Sequence, residues 1–497
     1  MAPLEKVPGS FRDPASRVFL DEGRILRGVD EATFQALRDL ADRGVLAQLT
    51  AEGLLIETEF LDAGQVPPQL AAEHGFRHFL RHRTVPVLSW PYEWTLSMLA
   101  DAGLATLALQ RRLLAAGYSL KDASAYNVQF VAGRPVFIDL GSIERPRRLD
   151  VWFALGQFSQ MFTFPLLLCR RAGWDLRAYF LAHLEGLDVR RVARVFGRRG
   201  WLSPGLFWDV TLPALLTHWA EGGGQPVAGS GQQTAEKLAL PPSPPRPLAP
   251  SPPLPAPPSA QRITLTRLER KIARLAAGYR PSGGWAEYQR TCTYADSAQA
   301  AKRGLVERFL RQTQPARVLD LGCNTGEYSR LAADCGAEVI AADADHDAVE
   351  LLYRELRQKP ARILPMVVDL CNPSPGVGVM NRERQPWSDR VRADCVLALA
   401  LLHHLLVVGN LPLAAVCELL DDLTVRDLVL EFIPPDDAMF RRLLRYRVDY
   451  FADLTLDACR EAFSRRFRLI AEEPIPGTGR TLLFWRKAEG GRRKAEG

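Results

Sequence analysis

In the second half of the chain, short apolar runs alternate with stretches of helical period. Val318–Leu321, Glu338–Ala342, Ile363–Val368, Cys395–Ala400 and Leu428–Phe432 read as five strands, with helices such as Asp347–Arg357 and Leu411–Leu423 in the gaps. The pair Phe467–Glu472 and Thr481–Trp485 reads as a terminal hairpin. Such alternation predicts an α/β domain built on a doubly wound, mostly parallel sheet, here of seven strands. Just upstream, Ile263–Tyr279 has a helical period rich in arginine, and Leu305–Leu310 continues a helix into the first strand. The first half is patterned differently. Thr33–Leu49 and Leu104–Gly117 read as helices, and Val128–Val131 and Val136–Gly141 flank a Gly133-Arg-Pro turn, a mixed α+β pattern.

A plain break separates the two patterns. Glu221-Gly-Gly-Gly-Gln-Pro226 opens a polar stretch that becomes Pro241–Pro258, with 11 prolines in 18 residues. Proline fixes φ and lacks an amide donor, so this stretch predicts a stiff polyproline spacer of roughly 55 Å at about 3.1 Å per residue. A ligand for an aromatic-lined polyproline groove is the sharper alternative. The chain thus divides into an N-terminal domain (1–220), a Gly/Pro-rich linker (221–260), a second domain (261–487) and a disordered tail (488–497).

The chemistry concentrates where the first strand of the second domain ends. Arg317-Val-Leu-Asp-Leu-Gly-Cys-Asn-Thr-Gly-Glu327 is an apolar run that stops at Asp320 and breaks into Gly322-x-x-x-Gly326. Glycines at those positions let the backbone turn tightly and approach a ligand. The next run closes on Asp343, 21 residues after Gly322, the separation at which an acidic residue ending the second strand takes both hydroxyls of a ribose. Asp320, directly before the loop, would repel a pyrophosphate and suits a cationic amino-acid group. A glycine turn in an unrelated α/β domain is the simpler alternative. This D-x-G-x-x-x-G loop resembles the motif of class I S-adenosylmethionine-dependent methyltransferases, and the resemblance covers roughly Trp285–Arg486. It implies S-adenosylmethionine as cofactor and a Rossmann-like seven-stranded sheet. It further implies the Gly322–Gly326 loop, Asn324 included, around the methionine part, Asp343 on the ribose and Asp369 at the adenine amine.

A sulfonium methyl is already activated, so the protein has mainly to place a nucleophile in line with it and remove a proton. The positions after the fourth and fifth strands carry His403-His404 and Glu431-Phe-Ile-Pro-Pro435. His404 is the candidate base, and Glu431 the candidate for orienting or deprotonating an acceptor. One of two adjacent histidines at a helix start must face away from a cleft, and Glu431 serves equally as a helix cap. Enzymes that methylate base amino groups often carry an Asn/Asp-Pro-Pro-aromatic run after the fourth strand, where this chain has Ala398-Leu-Ala-Leu-Leu-His-His404. Nucleic acid is therefore disfavoured, and a small molecule or a protein, methylated at oxygen or nitrogen, is the expected acceptor.

In the first half, Ser119-Leu-Lys-Asp122-Ala-Ser-Ala-Tyr-Asn127 is followed by Val136-Phe-Ile-Asp139-Leu-Gly141. This spacing resembles the catalytic loop and metal motif of protein kinases and small-molecule phosphotransferases. It implies Asp122 as base and Asn127 and Asp139 as magnesium ligands. Leu120 and Lys121 depart from that pattern, and neither a Gly-x-Gly-x-x-Gly loop nor a Val-Ala-x-Lys strand precedes it. A kinase-like remnant or recognition domain is the favoured reading; an ATP- and magnesium-dependent phosphotransferase, or a hairpin whose acids cap turns, are the alternatives. His74, His78 and His82 are spaced as on one helical face, either a metal pair or an exposed helix surface. The tryptophans at 90, 94, 152, 174, 201, 208 and 219 are expected mostly in the core, and Pro91-Tyr-Glu-Trp94 is a candidate acceptor surface. The pairing of halves also resembles a family of bacterial methyltransferases that includes a rhizobial nodulation protein, a likeness that fixes no substrate.

Composition sets outer limits. With 497 residues, 47% of them apolar, the chain has material for two cores. Eight scattered cysteines without a C-x-x-C pair suggest neither a disulfide framework nor zinc. The start, Met1-Ala-Pro-Leu-Glu-Lys-Val-Pro8, has no apolar signal core, and runs such as Val396–Leu402 are too short to span a bilayer, so no membrane insertion and a cytoplasmic location are expected. The net charge of +6 is mild for this length, and the arginine clusters at 190–199 and 441–447 read as phosphate grips or as solvated helix faces.

Overall fold

The computed structural model describes residues 5–7, 9–67, 70, 75–220, 259–282, 296–444 and 453–488. The expected proline spacer and disordered tail, and His74, lie outside the described residues.

The second half forms one sheet whose strands lie in the order Ile363–Val367, Glu338–Asp343, Arg317–Leu321, Ala393–Ala398, Thr424–Phe432, Thr481–Lys487 and Phe467–Pro474. The first five are parallel and the last two close the sheet antiparallel. Parallel strands are covered on both faces, and side chains alternate between two cores. Leu319, Leu321, Ile340, Ala342 and Val396 enter one; Val318, Val339, Ala341, Cys395 and Leu397 enter the other. Chain order reverses between Arg317–Leu321 and Ala393–Ala398, so connections leave these neighbours in opposite directions and open a crevice at their carboxyl ends. Leu321 pairs level with both Ala342 and Ala398, which brings three strand ends to one height.

The first half opens with a five-stranded antiparallel sheet in the order Glu5–Lys6, Ser16–Asp21, Arg24–Val29, His78–His82, Thr58–Leu61. The helix Glu31–Asp42 follows, started by Asp30, whose side chain accepts the Thr33 amide at 2.8 Å. The residues around His78 form a strand rather than the expected helix. Paired on both edges, it is a central strand in which Phe79, Leu80 and His82 are all buried. Its histidines are used structurally: His78 meets Glu31 at 2.8 Å, and His82 bonds Arg27 and Thr58. Among the described residues no group of three or more His, Cys, Asp or Glu is placed to hold a metal.

The helix Leu96–Ala116 is buried nearly all round and forms the spine of this half. The helix Ser259–Ala277 packs on it. Leu265, Leu268 and Ile272, spaced three and four apart, enter the first half's core, and Arg111 meets Glu269 at 2.7 Å. The boundary expected at 261 therefore does not follow the packing, because this helix buries its apolar stripe in the N-terminal core. The candidate acceptor surface changes too. Pro91, Tyr92, Glu93 and Trp94 are buried, with Glu93 ion-paired to Arg390 of the second half. The tryptophans divide: Trp94 and Trp152 are in the core and Trp90 and Trp174 pack against it, as expected of most of the seven, whereas Trp201, Trp208 and Trp219 face solvent.

The halves meet through a buried polar seam. The helix His346–Gln358, which follows the strand ending at Asp343, lies against the N-terminus of Leu96–Ala116. There the Leu96 amide donates to His346 Nε2 at 3.1 Å, and the Ser97 amide to Glu350 at 3.0 Å. Tyr353 donates to Asp101 at 2.7 Å. A carboxylate at exposed helix amides is where the helix dipole favours it. Among the described residues, no helix is long and apolar enough to cross a membrane.

Candidate active site

The strand Arg317–Leu321 ends in a loop that needs left-handed backbone at three of its residues. Gly322 (φ 70°), Asn324 (φ 50°) and Gly326 (φ 85°) adopt it. At Gly326 an added Cβ would lie 2.5 Å from Leu352 Cδ1, so glycine also lets the loop seat on the next helix. Gly322 and Cys323 donate their amides to Ala342 O at 2.8 and 3.2 Å, pinning the loop to the second strand end.

This loop is one wall of a cavity of about 480 Å³ at the crevice. Asp320, Gly322, Asn324, Asp343, Asp369 and His404 all line it. Asp343 accepts the amides of Asn324 at 2.8 Å and Asp345 at 2.9 Å, which holds the loop and the second strand end together. Burial raises its pKa. Asp320 is almost wholly enclosed, with Ser329 Oγ at 2.6 Å, and its pKa is pushed up to about 6, chiefly by burial. Asp369 is exposed beyond the third strand, its carboxylate accepting the Cys371 amide at 2.9 Å. Asn324 Oδ1 and Thr325 Oγ1 are buried without a hydrogen-bond partner among the described residues. Unpaired buried polar atoms are costly, and these sit in the loop that a nucleoside bearing an amino acid would touch. The residues present fit such a group.

Across the cavity, the strand Ala393–Ala398 leads to Ala400, whose φ of 50° is rare for a residue with a side chain. The turn delivers His404 to the cavity and sends His403 into the core, stacked on Phe440 at 5.6 Å. Burial lowers both pKa values, that of His403 to about 3. Glu431 does not line the cavity. It is fully buried behind it, accepting the Ala400 amide at 2.8 Å and pairing with Lys302 at 2.6 Å. Its place makes it a brace for the Ala400 turn, not a group that reaches an acceptor.

Lys302 and Gln299, from the helix Asp296–Thr313, line the cavity together with Tyr328. Lys302 Nζ lies 5.0 Å from the Tyr328 ring centre, and Gln299 donates to Glu327 at 2.9 Å. Sequence reasoning missed these residues. The signal was present, since Gln299 and Lys302 lie three apart on a helix preceding the motif strand, but the meeting of Lys302 with Glu431 is made only by the fold.

A family model described as a methyltransferase domain matches residues 294–422. Nodulation protein NoeA of Rhizobium meliloti (strain 1021) is 35% identical over 487 residues, covering 97% of this chain and 96% of that protein. The chain belongs to the NoeA family. It is an S-adenosylmethionine-dependent methyltransferase. Among solved structures, the bifunctional kinase-methyltransferase WbdD is 17% identical over 43% of this chain and 45% of that one, at a TM-score of 0.30. The N-methyltransferase NodS from Bradyrhizobium japonicum WM9 is 12% identical over 39% and 98%, also at 0.30. Likenesses at that level carry no functional inference.

The NoeA-family chain also brings Asp122 and Asp139 together in its first half, with Asn127 on the turn between them. Burial and the charge of Asp139 raise the Asp122 pKa. Asp139 Oδ1 meets Arg27 Nη1 at 2.6 Å. The same guanidinium donates to Ser16 Oγ at 2.8 Å and His82 Nε2 at 3.0 Å. A fixed side-chain cation therefore stands against the carboxylate that a magnesium ion would need.

Proposed function

We propose that this NoeA-family enzyme methylates an oxygen or nitrogen acceptor, a small molecule or a protein, with His404 as the base. The observation that carries the reading is the split of the histidine pair: His404 faces the cavity beside the cofactor loop while His403 is buried in the core. S-adenosylmethionine supplies an activated methyl on a cationic sulfur. Asp320 would balance the charge of its amino-acid end, Asn324 and Thr325 would give that end polar partners, Asp343 would hold the ribose and Asp369 would meet the adenine amine. His404, neutral because burial depresses its pKa, accepts the proton that the acceptor loses as its bond to carbon forms, and later returns it to water. Glu431 keeps Ala400 and Lys302 in place behind it.

The first half reads as a kinase-like fold kept for recognition rather than phosphate transfer. Its antiparallel sheet, the helix Glu31–Asp42 and the Asp122, Asn127 and Asp139 spacing support the kinase-like part. Arg27 against Asp139 argues against a working magnesium site. The relative is named for nodulation, and identity along nearly all of both chains supports the same process here. The test is methyl transfer from isotope-labelled cofactor into extracts of the source cells, with wild type and His404→Gln. Label incorporated by wild type and reduced about 100-fold or more in the variant, at unchanged cofactor affinity, is expected. Equal incorporation by both would remove His404 as base.

A further inference from the structure

The outer end of the N-terminal half carries an apolar surface that neither the cofactor cavity nor the seam uses. Trp201, Leu202, Trp208, Leu216 and Trp219 are exposed there, Leu202 at 84% and Trp219 at 78%. They belong to helices that pack on one another, Arg199–Leu202, Phe207–Thr211 and Leu212–Ala220, and Phe207 links the first two Trp rings at 5.9 and 5.4 Å. Leu216 and Trp219 lie three residues apart, on one side of their helix. A soluble domain seldom exposes so many large apolar side chains together.

The charge around them is net positive. Arg190, Arg191, Arg194, Arg198 and Arg199 lie between Asp188 and Ala220, and the acids in that span are Asp188 and Asp209. Asp188 caps its own helix and lies 3.8 and 3.4 Å from the Arg190 and Arg191 guanidiniums, and Asp209 is ion-paired with Lys271, so the excess charge is carried by Arg194, Arg198 and Arg199. The helix Val189–Phe196 buries Val192 and Phe196 and turns Arg191, Arg194 and Val195 outward.

We propose that this surface docks on an anionic lipid bilayer, lying on it without crossing. Three tryptophans with exposed leucines suit the boundary between headgroups and acyl chains, where an indole buries its rings and keeps its N–H wet. Long arginine side chains reach from an apolar contact to lipid phosphates, and each basic residue near an anionic leaflet adds attraction that salt weakens. Leucine has no polar group to offer a sugar or a charged peptide, which favours lipid as the occupant.

The experiment is co-sedimentation of the full chain with vesicles of phosphatidylcholine alone or mixed with phosphatidylglycerol, followed also by tryptophan emission. Two variants are compared: Trp201→Ser with Leu202→Ser and Trp219→Ser, and Arg194→Glu with Arg198→Glu. All five side chains are exposed, so both variants should keep the fold and the wild-type affinity for S-adenosylmethionine. Binding confined to the anionic vesicles, with a blue-shifted emission and about tenfold or greater weakening in each variant, is expected. No binding to either vesicle, or binding that both variants retain, overturns the proposal. A dimer that the serine variant disperses, with no vesicle binding, would assign the surface to a second copy and overturn it equally.

Discussion

Asp320→Asn should make the cofactor-free protein more stable while destroying its affinity for S-adenosylmethionine. The carboxylate is enclosed, and burial pushes its pKa from 3.8 up to about 6. A carboxylate whose folded pKa lies above its unfolded value favours the native state when protonated, and loses that advantage as pH rises between the two values. With one pKa unit worth about 1.4 kcal/mol, ionised Asp320 costs about 3 kcal/mol at pH 7.5 and about 1 kcal/mol at pH 4.5. Asparagine keeps an oxygen for Ser329 Oγ and carries no charge, so the variant should recover most of that cost at pH 7.5 and little at pH 4.5. Urea unfolding of wild type and variant at both pH values, without cofactor, measures the difference. Cofactor titration at pH 7.5 should show affinity lower by about 100-fold, the loss expected when a buried charge pair is broken at one partner. A variant less stable than wild type at pH 7.5, or a gain independent of pH, would refute the view that Asp320 is held at a stability cost for the ligand's charge.

Gly326→Ala would place a methyl 2.5 Å from Leu352 Cδ1 at a φ of 85°, so cofactor affinity measured by calorimetry should fall about tenfold or more. At saturating cofactor, the acid limb of kcat should lie below pH 6.5, because burial depresses the His404 pKa and the neutral base persists to lower pH; a limb above pH 7 would remove the assignment. Arg27→Ala leaves Asp139 and His82 without their shared donor, and denaturant unfolding should show a loss of about 3 kcal/mol. The wild-type protein should show no heat of ATP binding with magnesium at concentrations where S-adenosylmethionine saturates. Glu350→Ala strips an acceptor from the Ser97 amide and hydroxyl, costs about 3 kcal/mol by the same reasoning, and should let limited proteolysis separate the halves.

The parts of this protein that could be read from residue order are those set by local rules. The strand, the turn and the acidic strand ends around Asp320, Gly322 and Asp343 follow from backbone geometry and a fixed spacing, and these residues meet in the cavity. The strand at His78–His82 was misread because three histidines at four-residue intervals fit a helical face as well as alternate positions on one face of a strand. Partnering on both edges, which sequence does not display, decides between them. Helix Ser259–Ala277 carries an ordinary apolar stripe that names no partner, so its packing on Leu96–Ala116 was illegible. Glu431 illustrates the same limit at the site. A carboxylate after a strand reads as a reactive group, yet Lys302, 129 residues earlier in the chain, and the Ala400 amide take its oxygens.

The seam gives a reason for the two halves to stay joined. Asp343 ends the strand whose continuation is the helix His346–Gln358, and Leu352 of that helix supports Gly326 from beneath. The opposite side of the same helix supplies Glu350 and Tyr353 to Ser97 and Asp101 of the first half. One helix therefore touches the cofactor loop with one face and the N-terminal spine with the other. Without the first half, Glu350 would keep Arg354 of its own helix at 2.6 Å but lose the Ser97 amide and hydroxyl, one turn into the helix that follows the strand end at Asp343. With the cofactor at the proposed place, the N-terminal half completes the scaffold of that site, and its removal should weaken S-adenosylmethionine binding before any question of acceptor recognition arises.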